Sequence, residues 1–139
     1  MTKIKIYTDG SCHPKALTGT WAATLFVGNE KISLQGLEKN TTHNRMELLA
    51  VIKAIRQIDV LNLSEQTIQI YSDSQYVVNL SARMDKLEAN NFITKAGKQL
   101  QNSDLLQILI TQIRTHEIEF VKVKAHQKDG DVHNREVDL

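Results

Sequence analysis

Tyr7-Thr8-Asp9-Gly10-Ser11 and, further along, Tyr71-Ser72-Asp73-Ser74-Gln75 are near copies: an aromatic ring, a hydroxyl, an aspartate, a small residue. Each closes a strand-like run. Residues 3–9 alternate Ile4 and Ile6 against Lys3 and Lys5, and residues 67–73 form another such run. Between them the period changes. Residues 20–27 are rich in aromatic and β-branched side chains, Gly28-Asn29 marks a hairpin turn, and residues 31–37 return with Ile32 and Leu34 alternating. Residues 46–58 then carry Met46, Leu49, Ala50 and Ala54, flanked by Leu48, Val51, Ile55 and Ile58, which is a helix with a broad apolar surface. The strand over residues 67–73, reached through a helical crossover, is expected to lie parallel to the first strand. If so, the two aspartates stand side by side at a topological switch point, where open α/β sheets bind ligands.

Outward from that pair, residues 74–84 read as a helix and 85–101 have no clear period. Residues 104–115 form a helix with Ser103 as N-cap and Leu105, Leu106, Ile108, Leu109 and Ile113 buried. Residues 117–123 are a fifth strand, and a loop over 124–133 leads to a short helix near Asn134. Asp9-Gly10-Ser11 is expected to break the first strand. The class is α/β: a five-stranded mixed sheet, three antiparallel strands then two parallel, flanked by helices. Residues 1–139 read as a single domain.

Composition bounds the function. At 41% hydrophobic and 24% charged, the chain can bury an ordinary core. No apolar run approaches the ~20 residues of a membrane span. The longest, residues 105–113, is interrupted by Gln107, Thr111 and Gln112. No charged-then-apolar leader follows Met1, so no signal peptide is expected. Cys12 cannot form an internal disulfide, and no CxxC pair offers a zinc site. The expected compartment is a reducing cytoplasm, and the expected state a monomer without membrane attachment. Lys and Arg total 17 against 16 Asp and Glu, for a net charge of +1. Any grip on nucleic acid must come from local placement of charge.

Two adjacent carboxylates repel, and one takes a proton unless a cation is present. Mg2+ is the natural answer, since it binds carboxylate oxygens together with substrate phosphate. Asp-Gly is also a common turn and Asp-Ser a common helix cap, so either motif alone is ordinary. Their duplication at strand ends gives them weight. Glu47 opens the first long helix. Asn44, three residues earlier, has the spacing of a capping box, so capping and metal ligation both stay open for Glu47. Asp138 and His126 taken singly are a charge on a terminal helix and a loop histidine.

Taken together, Tyr7-Thr8-Asp9-Gly10-Ser11, Thr41-Thr42-His43-Asn44-Arg45-Met46-Glu47-Leu48, Tyr71-Ser72-Asp73-Ser74-Gln75-Tyr76-Val77 and Val123-Lys124-Ala125-His126, with Asn134 and Asp138 after it, resemble the type 1 ribonuclease H family. The resemblance covers essentially the whole chain. It implies the ribonuclease H-like fold and an endonuclease that hydrolyses the RNA strand of an RNA/DNA hybrid, leaving 5′-phosphate and 3′-hydroxyl ends. The family's catalytic and metal-binding carboxylates carry over to Asp9, Glu47, Asp73 and Asp138. They would hold two Mg2+ ions in the presence of substrate, with Mn2+ as a substitute. His126 matches a mobile histidine that assists proton transfer or product release. Gly10, Ser11, Cys12, Asn44 and Gln75 would lie along the minor groove, where the 2′-hydroxyl marks RNA. Thr42 matches a contact to a DNA phosphate, and His43 stands where an amide side chain is common.

The chain also departs from the family. Lys15 takes the place of a common asparagine in Cys12-His13-Pro14-Lys15-Ala16-Leu17. Residues 83–98 correspond to a basic, tryptophan-rich protrusion. Here Arg83, Lys86, Lys95 and Lys98 stand against Asp85 and Glu88, a net of +2 with Phe92 and no tryptophan, so a weaker substrate handle is expected. The sequence stops at Leu139, where members usually continue the last helix; the expectation is a shortened helix and a weakened second metal site. The rival readings are a hybrid-binding module that has lost turnover and a structural Ca2+ site in an unrelated α/β protein.

Overall fold

Alternation builds the first hairpin. In the computed structural model, which describes residues 3–13, 15–63 and 66–124, β1 (Lys3–His13) buries Ile4, Ile6, Thr8 and Gly10 on one face. β2 (Thr18–Val27) runs antiparallel to β1, and β3 (Glu30–Lys39) antiparallel to β2. Gly28 takes the left-handed conformation, φ +59°, in the two-residue loop where Val27 pairs with Glu30. β1 does not break after Asp9, as the Asp-Gly dipeptide suggested. It continues because β2 keeps offering a ladder, with Ser11 opposite Thr20 and His13 opposite Thr18.

α1 (His43–Val60) begins three residues before the expected start, because Thr42 caps it: the Thr42 hydroxyl accepts from the Arg45 amide at 3.2 Å. Asn44 therefore lies inside the first turn, and the capping box with Glu47 does not form. α1 sets Leu48, Val51, Ile52 and Ile55 in a buried cluster with Ile4 and Ile6 of β1 and Leu25 of β2. The crossover brings β4 (Thr67–Ser72) parallel to β1, with Ile4 opposite Ile68 and Tyr7 opposite Tyr71. β5 (Ile118–Lys122) adds parallel to β4, giving the order β3-β2-β1-β4-β5. This is the mixed sheet expected.

The helical half differs in detail. The single helix foreseen over residues 74–84 is two: α2 (Gln75–Val78) and α3 (Leu80–Ala89). Asn79 joins them in a tight turn, accepting from the Ala82 amide at 3.2 Å. α4 (Ser103–Thr115) begins after Asn102, which sits in the left-handed region at φ 65°; Ser103 is the first helical residue rather than the cap. Leu106 and Leu109 of α4 join the core, and the Gln112 side chain donates to the Ile52 carbonyl at 3.2 Å. The expected helix near Asn134, with His126 and Asp138, lies outside the described residues. Among the described residues, no helix is long and apolar enough to cross a membrane.

Arg45 locks three elements together at the start of α1. Its Nε donates to Glu38 of β3 at 3.0 Å, and its two terminal nitrogens grip Asp104 of α4 at 3.0 and 2.8 Å. The Asp104 contact, ahead of Glu38, holds the guanidinium pKa above its ordinary value against the opposing cost of burial. Because Asp104 is largely exposed, solvent screens much of this. Arg45→Met is expected to cost about 1 kcal/mol, with Arg45→Lys recovering only part because lysine cannot form the two-pronged contact; urea denaturation checks both.

Candidate active site

Register places the first two carboxylates. β1 and β4 pair with Tyr7 opposite Tyr71, whose rings stack at 4.5 Å and 12°. Two residues on, Asp9 and Asp73 follow their tyrosines in step. Side chains alternate along a strand, so Asp9 shares a face with Tyr7, while Gly10 faces α1. Glu47 arrives from that helix.

Gly10 lets them meet. A Cβ at Gly10 would stand 2.5 Å from the Glu47 amide nitrogen, 2.6 Å from the Met46 carbonyl carbon and 2.9 Å from Glu47 Oε1. The first two are backbone atoms at positions no real Cβ contact tolerates. The missing side chain lets α1 settle directly onto β1, and the Glu47 carboxylate reaches the end of the sheet through the gap. One oxygen each from Asp9, Glu47 and Asp73 then lie within 4.8 Å of one another.

This triangle is electrically strained. Glu47 is 1% exposed, and neither of its oxygens has a hydrogen-bond partner of ordinary geometry among the described residues. Burial first, then the negative charge of Asp73, push its carboxyl up to about 8; the nearby Gly10 amide and Ser74 hydroxyl oppose the shift without cancelling it. An all-oxygen donor set with one deeply buried member matches a hard divalent cation. Oxygens around Mg2+ stand roughly 3–4 Å apart, so the three close on an ion by a small movement or with water between them.

The other expected residues that lie among the described ones gather at the same end of the sheet. Ser11 is exposed, with its hydroxyl 3.1 Å from that of Thr20. The half-buried Cys12 thiol donates to the Thr41 carbonyl at 3.4 Å. Thr42, His43 and Asn44 are exposed at the N-terminus of α1, and Gln75 opens α2 with its amide turned to Asn79 at 2.7 Å. Gly10, expected along a substrate groove, packs against α1 and also lines the cleft beside Asp9 and Ser11. A cleft of about 770 Å3 runs from Asp9 and Ser11 across β2 to Ser33 and Gln35 of β3. Two supports were missed in the sequence. Ser72 is buried and accepts from the Ser74 amide at 3.0 Å, shaping the bend that carries Asp73. Lys122 donates to the Asp73 carbonyl at 2.7 Å. The tyrosine-hydroxyl-aspartate repeat pointed to Ser72; a strand-end lysine carries no such signal.

An RNase H family profile matches residues 1–139. The ribonuclease H of Acetivibrio thermocellus is 37% identical over 137 residues, spanning 97% of this chain and 90% of the relative. One from Chlorobium phaeobacteroides is 38% identical over 135 residues, spanning 96% of this chain and 89% of the relative. Among solved structures, LC9-RNase H1, described as a type 1 RNase H with the type 2 active-site motif, superposes with a TM-score of 0.83 at 22% identity, covering 98% of this chain and 68% of that one. That likeness is one of fold.

Two outcomes follow from this geometry. Gly10→Ala should lose about 1–3 kcal/mol to overpacking, with a further loss of divalent-ion affinity as Glu47 is displaced; denaturant melts and calorimetric titration separate the two. The second concerns pH. With Glu47 raised from 4.5 to about 8, the folded protein binds a proton the unfolded chain has released. Metal-free stability therefore falls as pH rises through that window. Melting in EDTA between about pH 5 and pH 8 should show the decline, and Glu47→Gln should flatten it.

Proposed function

The chain belongs to the RNase H family, and on that footing we propose that Asp9, Glu47 and Asp73 hold the divalent cations for its reaction. Members of this family are metal-dependent endonucleases that cut the RNA strand of RNA/DNA hybrids. The observation that carries the assignment is the triangle of carboxylate oxygens with Glu47 buried and unpartnered at its apex.

Two-metal hydrolysis, the general mechanism of the family, supplies charge neutralisation for the phosphodiester, a water deprotonated near neutral pH and support for the leaving oxygen. Mg2+ is the ion this reading favours, because all three donors are hard oxygens. The chain's own part is placement. Asp9 and Asp73, fixed by adjoining strands, hold their carboxylates at one end of the sheet. Glu47 supplies the third from behind Gly10 and gives up its proton when an ion binds. The N-terminus of α1, with Thr42, His43 and Asn44 exposed around it, suits a phosphate of the hybrid. Ser11, Cys12 and Gln75 flank it with small polar groups suited to a 2′-hydroxyl. Asp138 as a further ligand and His126 as a proton carrier join the reading on the sequence motif alone. The reading also takes the protein as a monomer in a reducing cytoplasm, where the single thiol of Cys12 stays free. Products carry 5′-phosphate and 3′-hydroxyl ends.

The test is cleavage of an end-labelled RNA/DNA hybrid in Mg2+ and Mn2+, with EDTA, single-stranded RNA, duplex RNA and duplex DNA as controls. Only the hybrid should be cut. Asp9→Asn and Asp73→Asn should each lower the rate by more than about a hundredfold. Binding of the hybrid without cutting would replace the enzyme by a binding module.

A further inference from the structure

Asp73 lies one residue past the end of β4, before the first turn of α2 begins. Its carbonyl is beyond the strand ladder, and the first α2 bond runs from the Val78 amide to Ser74 at 3.0 Å. Neither element supplies the Asp73 carbonyl with a donor. Lys122 does. This residue ends β5 directly opposite Ser72, and its ammonium group donates to the Asp73 carbonyl at 2.7 Å and to its neighbour's, Val123, at 3.3 Å. The Val123 amide closes the other side by donating to the Ser72 carbonyl at 3.0 Å. A charged donor makes a shorter and stronger bond than an amide. The peptide that follows Asp73 is thereby tied to the neighbouring strand, and with it the backbone from which the Asp73 side chain springs.

We propose that Lys122 is a positioning residue for Asp73, orienting that carboxylate for the cation through its bond to the Asp73 carbonyl. The proposal rests on the metal assignment above. Partners of metal ligands act this way in general: they fix direction, and their loss weakens metal affinity while the fold stands. Lys122 is exposed at a strand end and has no place in the core, so replacing it leaves the packing intact.

Lys122→Met and Lys122→Arg, made in the full chain, test this. Mg2+ binding is measured by calorimetry without nucleic acid, melting is measured in EDTA, and kcat and KM are measured on the hybrid. The expected result for Lys122→Met is Mg2+ affinity weakened about tenfold, a lower kcat at sub-saturating Mg2+, an unchanged KM for the hybrid and an unchanged melting temperature. Lys122→Arg, which keeps a charged donor, should recover most of the affinity. Unchanged Mg2+ affinity in Lys122→Met would overturn the proposal. So would a raised KM alone, which would make the lysine a phosphate contact, or a lowered melting temperature alone, which would make it structural. Asp9→Asn is the control. If it binds Mg2+ as the unaltered protein does, the metal assignment itself fails and the proposal falls with it.

Discussion

Carboxylates on neighbouring parallel strands repel one another, and this sheet holds Asp9 and Asp73 together all the same. What holds them is the pairing of β1 with β4 below: Ile4 with Ile68, Ile6 with Ile70, Tyr7 stacked on Tyr71. Each isoleucine is wholly buried, worth about 1.5–3 kcal/mol over exposure. A slip of one residue would turn these side chains to the wrong face, so the register has no near alternative. The apolar half of the strand pair thus fixes the position of its polar end. The site exists because the core leaves the aspartates nowhere else to go.

The third carboxylate depends on a different economy, that of space. Glu47 sits on a helix over one face of the sheet, and Asp9 belongs to the other. At most strand positions a side chain would hold the helix off. Gly10 has none, so the helix backbone comes to rest on the strand and the carboxylate passes through. The result is a carboxyl buried beside another anion, without a hydrogen bond of ordinary geometry among the described residues, a state that costs stability when the group is charged. If the triangle holds a cation as proposed, binding it would offset that cost and stabilise the fold.

Much of this was legible in the chain. Period-two runs, one glycine-asparagine turn and a crossover helix are local signals, and they gave the strand order without reference to distant contacts. The repeated tyrosine-hydroxyl-aspartate pattern gave the paired aspartates for the same reason. What escaped was set by contacts across the fold. Asp-Gly reads as a turn because most such glycines serve one; only α1 packing against it shows Gly10 inside a strand. Asn44 has capping spacing, yet Thr42 wins the cap and leaves Glu47 free to face the sheet. Asn79 divides a helix whose apolar pattern runs straight through. Lys122 has no sequence signature, since its partner is a backbone carbonyl 49 residues away.

Net charge is the last point at which local arrangement outweighs composition. A chain of charge +1 must receive a polyanion, yet its arginines are partly committed. Arg45 is held by Glu38 and Asp104, and Arg114 by Asp85 and Glu88. The second commitment has a useful side. Asp85 and Glu88 are the acids that dilute the basic segment over residues 83–98, and Arg114 of α4 answers them from outside it. Counting Arg114 with that segment raises its charge from +2 to +3 without altering the composition. At the carboxylate triangle the balance is reversed: metal-free, it presents negative charge to a phosphodiester. On the proposed reading, two divalent cations outweigh the three carboxylates and would invert that sign, so affinity for the hybrid and affinity for the metal would rise together by linkage. On that reading, a nearly neutral protein would grip a highly charged substrate best when it is equipped to cut it.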